Sequence, residues 1–393
     1  MTRLAVVLSH PTQYYSPWFR HLSAEPTLEL KVFYLWDFGV RPNLDVKFQR
    51  TVAWDVDLLS GYQSEFIPNR APSPGPQHFS GFRNPSLIPQ LQAFGPQVIL
   101  LFGYRYRTHI HLILQARRLG WPLLFRGDSH LIDQPNPRWL KQTILRQIFS
   151  RFAAVTFVGK ANRDYFRRFE VPEQKLFHVP HCVDQTLFDP TQPQHADEAM
   201  ALRVEIGLPT DARVAVFVGK LQPEKQPLAL AQAFSKTTAK NWHLLVVGDG
   251  HQDVAIRQWA SDHPTRPIHR LPFVNQSRIP AVYQLADLLV LPSIGLTETW
   301  GLSVNEAMHM GCPALVSHRV GCHADMIVPG KTGWVFDAAK PHTLSDSLES
   351  AMQDVAIDRS GFRDRTIAHA SHFSYEIATQ GLLKAVDSIA LSP

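Results

Sequence analysis

The stretch Glu298–Gly311, ETWGLSVNEAMHMG, decides the fold. It follows the apolar run LLVLPS, which is typical of a buried strand, and it ends at a glycine suited to a helix C-terminus. A helix that begins near Trp300 or Gly301 presents free backbone N–H groups, which together with the helix dipole favour a phosphate. Glu298 then lies in the loop before the helix and Glu306 about two turns into it. Both carboxylates suit the hydroxyls of a sugar or ribose; two unrelated surface glutamates are the alternative.

Short apolar runs alternate with helical patterns on both sides of this stretch, which is the signature of βαβ units. In the second half of the chain, the predicted strands are Val214–Val218, His243–Val247, Ile268–Pro272, Leu288–Leu291, Pro313–Val316 and Gly333–Phe336. In the first half they are Leu4–Leu8, Leu30–Tyr34, Gln97–Phe102, Pro122–Arg126, Ala154–Val158 and Lys175–Val179. We therefore predict an α/β fold of two facing, doubly wound Rossmann-like domains, with ligands bound beyond the carboxyl ends of the strands.

The domain boundary is predicted from composition. The segment Asp189–Asp197, DPTQPQHAD, is polar and contains two prolines, so it is interpreted as a linker. One domain is then expected over residues 1–188 and a second over residues 189–372. Residues 373–393 follow as a separate piece that includes the helix candidate Tyr375–Leu391.

Charge and cysteine content indicate the setting in which the protein works. The chain has a net charge of +5, but residues 1–190 carry 22 Lys and Arg against 14 Asp and Glu. This excess suggests an acidic partner for the first half, or an ordinary solvated basic surface. No apolar run is long enough to span a membrane, and Leu4–Leu8 is too short for a signal peptide. The three cysteines show no metal-site spacing and fit reduced thiols in a cytoplasm.

Several motifs together give a specific resemblance. The pattern E-x-W-G-L-x-x-x-E-A-M-x-x-G resembles the signature of family 4 of the retaining glycosyltransferases, the group 1 glycosyl transferases. Phe217–Lys225 (FVGKLQPEK), Leu245–Gly250 (LVVGDG), Val320–Phe336 and His178–Phe188 (HVPHCVDQTLF) resemble further segments of that family, in order, over roughly residues 150–393. The resemblance implies the GT-B arrangement, with an N-terminal acceptor-binding domain, a C-terminal nucleotide-sugar-binding domain and a last helix that crosses back.

The resemblance also implies roles on the donor side. Lys220 and Lys225 would neutralise the donor diphosphate and stabilise the nucleotide as it leaves. Glu306 would hold the ribose hydroxyls. The segment Phe273–Asn275 would supply backbone contacts to the base.

Glu298 is the implied catalytic residue of the second domain. With the backbone of Thr299–Leu302, which includes Gly301 and Leu302, it would grip the transferred sugar and the phosphates. No side chain stands out as a nucleophile toward the sugar. The resemblance implies retention of anomeric configuration, and we therefore expect front-face departure and attack, with the donor phosphate as base.

The first half departs from the family pattern after its first strand. Many members carry a glycine-rich loop there, whereas this chain has Ser9–Pro17, SHPTQYYSP. The loop still follows a strand's carboxyl end, so His10 and Gln13 are expected on the acceptor side. For His10, a structural role at the end of the strand is equally open.

Asp128 is the second predicted catalytic residue. It follows the strand PLLFR, where many relatives carry a catalytic-site histidine, and a carboxylate there could orient or deprotonate an acceptor hydroxyl. Arg126 could bind an anionic acceptor or pair with Asp128; a buried ion pair or helix cap is the alternative. Tyr104, Arg105 and Arg107 follow another strand end and are candidates for the same side.

The predicted activity is hexosyl transfer from a UDP-, GDP- or ADP-sugar to an acceptor hydroxyl in glycolipid, polysaccharide or other glycoconjugate synthesis. We expect no cofactor and no essential metal, because Asp55-Val56-Asp57 lacks the context of a metal-binding D-x-D motif. A dinucleotide-dependent dehydrogenase is disfavoured because no G-x-G-x-x-G follows the first strand. A nucleotide-sugar epimerase of the same fold and a non-catalytic sugar-nucleotide- or membrane-binding protein remain alternatives.

The segment Arg138–Arg168 alternates bulky apolar residues with eight arginines and lysines. A basic amphipathic helix can lie on an anionic membrane, and the segment can equally contribute a core helix. The predicted location is therefore cytoplasmic, with possible peripheral attachment at the inner face of the membrane. Nucleic acid is not an expected partner.

Overall fold

The computed structural model describes residues 1–41, 43–45, 50–132, 134, 136–295, 298–340 and 342–390, with backbone alone for 43–45, 50–52 and 390. The chain divides into two compact units. Unit 1 comprises residues up to Cys182, apart from Leu44–Thr51, together with the chain from Tyr375 onward. Unit 2 contains Val183–Ser374.

The first half of the chain builds a parallel sheet with helices between its strands. Its elements are β1 (Thr2–Leu8), α1 (Tyr15–Ser23), β2 (Leu28–Tyr34), β3 (Asn43–Asp45), β4 (Arg50–Val52), β5 (Gln63–Phe66), α2 (Leu87–Phe94), β6 (Val98–Phe102), α3 (Arg107–Leu119), β7 (Leu123–Arg126), α4 (Trp139–Phe149), β8 (Ala154–Phe157), α5 (Lys160–Arg168) and β9 (Leu176–His178). The main sheet has the order β5-β2-β1-β6-β7-β8-β9 and all its pairs are parallel. β3 and β4 form a separate pair.

The second half repeats this plan. Its elements are α6 (Pro193–Glu205), β10 (Arg213–Val218), α7 (Pro227–Phe234), β11 (Trp242–Val247), α8 (Asp253–Asp262), β12 (Ile268–Leu271), α9 (Ile279–Leu285), β13 (Leu288–Leu291), α10 (Leu302–His309), β14 (Ala314–Ser317), α11 (His323–Met326), β15 (Gly333–Phe336), α12 (Thr343–Ile357), α13 (Arg359–Ala370) and α14 (Tyr375–Ala390). The parallel sheet of unit 2 has the order β12-β11-β10-β13-β14-β15. Within the described residues, no helix has the length and apolarity needed to cross a bilayer.

The predicted fold class of two Rossmann-like parallel-sheet units is confirmed, and each of the twelve predicted strands is present. β5 was missed because its sequence, QSEF, is polar and lies half-exposed at the sheet edge. The linker interpretation of Asp189–Asp197 was wrong for its second half, because Pro193 opens α6. Proline is favoured in the first turn of a helix, where its missing N–H costs no hydrogen bond.

Both faces of the unit 1 sheet are covered, which explains its continuous apolar strands. In β1, Ala5 and Val7 face one apolar cluster, to which α2, α3, α4 and α5 contribute. Leu4 and Val6 face a second cluster, formed with α1 and with Leu382 and other residues of α14. The last helix of the chain is therefore part of the core of unit 1, as the predicted return of the chain requires.

α14 approaches the sheet at a glycine. A Cβ atom added at Gly381 would lie 1.9 Å from the carbonyl oxygen of His178, at the end of β9. Nearby, the Trp18 indole N–H donates a 3.1 Å hydrogen bond to Thr379 Oγ1. The helix can lie this close to β9 only because residue 381 has no side chain.

From this contact we predict that Gly381→Ala destabilises the protein, although helix propensity alone would predict the opposite. Gly381→Ala would stabilise an isolated helix by about 0.5–1 kcal/mol. Here we expect it to lower the free energy of unfolding by about 1–3 kcal/mol, because the methyl group forces α14 away from β9. Denaturant unfolding measures the change, with Lys384→Ala on the exposed side of α14 as the control. A stabilised Gly381→Ala protein would contradict the docking of α14.

Candidate functional site

The strand order of unit 2 places a topological switch point between β10 and β13. From β10 the chain proceeds through β11 and β12 to one edge of the sheet, and then through β13, β14 and β15 to the other edge. The loops that follow β10 and β13 leave the sheet in opposite directions, which opens a crevice at the carboxyl ends of these strands. The predicted donor-binding residues lie on these two loops and on α10.

The loops at this edge approach one another backbone to backbone. A Cβ atom on Gly248, whose φ is +131°, would lie 1.9 Å from the Gly219 carbonyl oxygen. Leu221 N–H donates to Asp249 O at 2.9 Å, so the loops after β10 and β11 are joined. On the other side, Ile294 N–H donates to Glu224 O at 2.9 Å. The loop that carries Lys220 and Lys225 is therefore held from both sides.

Lys225 and Glu298 form an ion pair at the switch point. Lys225 Nζ contacts Glu298 Oε2, and the Ser293 hydroxyl donates to the same carboxylate oxygen at 2.7 Å. Glu298 is only 7% exposed, and Lys225 is largely buried. Lys220 lies half-buried on the same loop. The sequence motifs selected both members of the pair but did not predict that they touch, because they are 73 residues apart.

The N-terminus of α10 is fixed by close packing. Gly301 precedes Leu302, the first residue of the helix, and adopts φ +104°, a value suited to glycine. A Cβ at Gly301 would lie 2.8 Å from Val320 Cγ1. A Cβ at Gly321 would lie 1.8 Å from the carbonyl oxygen of Thr299. The predicted helix start is confirmed, and it is set where the loops after β13 and β14 meet.

Glu306 is held deeper in unit 2. Tyr283 on α9 donates its hydroxyl to Glu306 Oε2 at 2.7 Å, and the Gln276 side-chain amide donates to Oε1 at 3.2 Å. Glu306 is 4% exposed. Gln276 follows directly on Phe273–Asn275, so Glu306 is linked to the segment predicted to meet the base. Gln276 and Tyr283 were missed because single polar residues beside a helix carry no sequence signal.

In unit 1, Asp128 faces a buried histidine. His181, which follows β9, has its Nε2 3.5 Å from Asp128 Oδ2. Burial lowers the pKa of His181, and the neighbouring Asp128 carboxylate opposes this shift. The Asp128 side chain remains 43% exposed at the carboxyl edge of the sheet. His181 was missed as a site residue, although its segment had been quoted for the resemblance.

Arg126 is buried, with 2% exposure. Its guanidinium donates to Val179 O at 2.9 Å and Pro180 O at 3.3 Å. It also lies over the rings of Tyr15, Trp18 and Phe102, at 5.2–5.8 Å from their centroids. Arg126 therefore attaches the end of β9 to the sheet. Its predicted contact with an acceptor stays a prediction.

The loop after β1 places His10 and Gln13 at the same edge of unit 1. His10 Nδ1 lies 2.8 Å from Ser9 Oγ, and its ring packs edge-on against Trp36 and Phe38. Burial lowers the pKa of His10 to about 4, so the ring is neutral at pH 7. Gln13 is 7% exposed. These contacts support the structural reading of His10, and its acceptor contact remains a prediction.

The next question is whether the D-x-D segment or any other group of side chains could bind a metal ion. Asp57 uses its carboxylate to accept the N–H groups of Leu59 and Ser60, at 3.0 and 3.1 Å. This is the loop role expected for the D-x-D segment. Across the part of the chain that is described, no three His, Cys, Asp or Glu side chains form a group that could hold a metal.

Comparisons with known proteins identify the family of the chain. A family model described as glycosyl transferases group 1 matches residues 199–370. D-inositol 3-phosphate glycosyltransferase of Segniliparus rotundus is 31% identical, with 88% of this chain and 82% of the relative aligned. That of Nocardia farcinica is 30% identical, with 78% and 73% aligned. That of Corynebacterium glutamicum is 27% identical over 67% of this chain and 64% of the relative, just under two thirds of its length.

Solved structures show the same architecture over the full chain. The glycosyltransferase from Rickettsia africae has a TM-score of 0.76 at 12% identity, covering 100% of this chain and 99% of that one. Anabaena Alr3699/HepE, in complex with UDP and glucose, has a TM-score of 0.72 at 15% identity, covering 99% and 100%. The two parallel-sheet units thus have the GT-B fold. The chain belongs to the group 1 glycosyl transferases, as its motifs suggested.

The partly buried ring of His10 predicts a pH dependence of stability. Its pKa of about 4 lies below the unfolded value of about 6.5, so the unfolded chain binds the proton first. The stabilising contribution is complete above about pH 6.5 and is lost as the pH falls towards 4. In this pH window we expect the His10→Gln protein to show a smaller slope of unfolding free energy against pH. The reduction corresponds to at most one proton fewer taken up on unfolding. Denaturant unfolding between pH 4 and 7 measures it.

The exposed His342 in unit 2 provides the matched control, as His342→Gln removes a histidine without a buried environment. An unchanged pH slope in the His10→Gln protein would show that His10 is solvated at acidic pH.

Proposed function

We propose that the protein is a retaining hexosyltransferase that moves a sugar from a UDP-, GDP- or ADP-sugar to an acceptor hydroxyl. The observation that carries the proposal is the Lys225–Glu298–Ser293 cluster at the switch point of unit 2, next to the N-terminus of α10. A cation, a carboxylate and oriented backbone N–H groups there match the two ends of a sugar diphosphate. No cofactor or metal is part of the proposal.

The diphosphate is assigned to Lys220, Lys225 and the N–H groups at the start of α10. Lysine ammonium groups and helix N-termini both stabilise phosphate charge. When Lys225 turns to the phosphate, the Glu298 carboxylate loses its ion-pair partner. It can then accept hydrogen bonds from the sugar hydroxyls, with Ser293 keeping it in place. Glu306, held by Tyr283 and Gln276, is assigned to the ribose hydroxyls.

The proposed chemical step needs no protein nucleophile. The bond between the anomeric carbon and the diphosphate oxygen breaks, and its electron pair stays on the phosphate. The acceptor oxygen bonds to the anomeric carbon on the same face, and its proton passes to the departing phosphate oxygen. Lys220, Lys225 and the α10 N–H groups lower the barrier because they stabilise the negative charge that develops on the leaving diphosphate.

Asp128 is assigned to the acceptor. Its exposed carboxylate at the sheet edge of unit 1 can accept a hydrogen bond from a hydroxyl, while His181 fixes its orientation. The aligned relatives are named for D-inositol 3-phosphate, so phosphorylated polyols are the first acceptors to test, followed by lipid-linked sugars of glycoconjugate synthesis. The predicted cytoplasmic location is part of this proposal, because nucleotide sugars are available there.

The donor assignment is tested by a thermal-shift screen of UDP, GDP and ADP, followed by transfer assays with sugars of the best nucleotide. Lys225→Ala removes a charge-assisted contact to phosphate. We expect it to weaken nucleoside diphosphate binding about 10- to 100-fold while nucleoside binding is nearly unchanged. The matched control is Lys236→Ala, an exposed lysine of unit 2. Equal weakening for nucleoside and nucleoside diphosphate would overturn the assignment, and inverted products would overturn retention.

The acceptor assignment is tested by Asp128→Asn, which keeps the shape of the side chain and removes its charge. Transfer should fall about 100-fold, because the carboxylate that orients the acceptor hydroxyl is lost while the proton still passes to the donor phosphate. Nucleoside diphosphate affinity should stay within twofold or so, because Asp128 belongs to unit 1 and the donor residues belong to unit 2.

Asp164→Asn, an exposed change on α5 of unit 1, is the control and should leave transfer unaltered. Wild-type transfer by the Asp128→Asn protein would reduce Asp128 to a partner of His181.

A further inference from the structure

Unit 1 exposes an apolar face that its fold does not use. On α4, Trp139 is 76% exposed, Leu140 55% and Ile144 50%, although Leu145 and Phe149 on the same helix are buried. These three side chains lie on the outer side of α4. The stability of unit 1 explains the buried residues of α4 but not this second apolar set.

The exposed side chains of α4 continue onto the neighbouring helix α3. A groove of about 280 Å³ runs between the helices. Ile110, Ile113 and Leu114 line it from α3, and Ile144 and Ile148 line it from α4. Leu114 is itself 48% exposed. Trp139, Leu140, Ile144 and Leu114 therefore form one continuous surface, which we call the α3–α4 face.

Basic side chains border this face. Arg117, Arg118 and Arg151 line a second groove that adjoins Leu114. Lys141 is exposed on α4 beside Leu140. Neither helix contains an aspartate or glutamate in its sequence, RTHIHLILQARRL for α3 and WLKQTILRQIF for α4. The positive charge around the apolar side chains is therefore not balanced from within the two helices.

Other basic residues of the region are engaged elsewhere. Arg146 pairs with Glu170 at 2.8 Å, and both Arg163 and Arg167 pair with Glu173. The structure thus narrows the part of the basic segment that borders this face to residues 138–151. It adds Arg117 and Arg118, which the sequence analysis did not include.

We propose that the α3–α4 face docks on the surface of an anionic lipid bilayer. Trp and aliphatic side chains partition into the boundary between headgroups and acyl chains, with arginine and lysine beside them bound to lipid phosphates. A lipid bilayer fits this face better than an acidic protein surface does. The apolar side chains project from the helices, where they can insert among lipids without a complementary pocket. The proposal is independent of which sugar or nucleotide the protein uses.

Vesicle co-sedimentation of the full-length protein tests the proposal. Wild-type protein should bind vesicles of phosphatidylglycerol and phosphatidylcholine in equal parts, and should bind pure phosphatidylcholine much less. Each basic residue near an anionic surface contributes about fivefold to partitioning, so Arg117→Gln combined with Arg118→Gln should weaken binding about 30-fold. Raising the salt should weaken wild-type binding steeply and this variant less.

The apolar contribution is measured separately. Leu140→Ser combined with Ile144→Ser should weaken binding at least tenfold at both low and high salt, because insertion is not screened by ions. The wild-type minus Trp139→Phe emission spectrum isolates Trp139, and it should shift to shorter wavelength on anionic vesicles.

Two control pairs lie in unit 2. Val254→Ser with Ile357→Ser removes apolar residues that are even more exposed than Leu140 and Ile144, and Lys236→Gln with Lys240→Gln removes exposed charges. Both should bind vesicles like wild type, and nucleoside diphosphate binding verifies that each variant is folded. Absent vesicle binding, or equal losses in the control pairs, would overturn the proposal. The proposal would also be overturned if the wild-type protein were a dimer and the Leu140→Ser, Ile144→Ser double variant were a monomer. The α3–α4 face would then bind a second copy of the chain.

Discussion

The carboxyl edge of the unit 2 sheet depends on close backbone-to-backbone contacts at glycine residues. Gly248 lies against Gly219, and Gly321 lies against the Thr299 carbonyl, at separations where a single methyl group could not fit. The first contact joins the loops after β10 and β11, and the second joins the loops after β13 and β14. The Ile294 N–H, which donates to Glu224 O, connects the two pairs and brings the loops of Lys225 and Glu298 together.

The same constraint explains the burial of the charged pair. Taking a lysine and a glutamate out of water costs free energy unless each finds a partner. Here Lys225 and Glu298 are partners of each other, and the Ser293 hydroxyl donates a further hydrogen bond to Glu298. The pair therefore satisfies both charges before any ligand binds, and in the proposed reaction the donor phosphate would compete with Glu298 for Lys225. Glu306 follows a different rule, since neutral donors from Tyr283 and Gln276 hold it.

The sequence was sufficient for the fold because parallel strands covered on both faces are continuous apolar runs, and each run here is bounded by turn residues. The start of α10 could also be predicted, because strand, glycine and helix start leave a local pattern around Glu298 and Gly301. Contacts between distant segments leave no such pattern. The meeting of Lys225 with Glu298, the histidine beside Asp128 and the burial of Arg126 all depend on which strands become neighbours. The linker error at Pro193 had another cause, since proline both interrupts a helix and begins one.

The docking of α14 on unit 1 has a consequence for how the chain matures on the ribosome. Domains usually complete in order from the N-terminus as synthesis proceeds. Apart from Leu44–Thr51, unit 2 is one stretch from Val183 to Ser374, so it can close before unit 1, whose second apolar cluster requires Leu382 and its neighbours. Until then, one side of the sheet formed by the earliest residues is open to water. Nascent chains are thus most exposed to aggregation in their oldest part, which makes that face the expected place for a chaperone to bind.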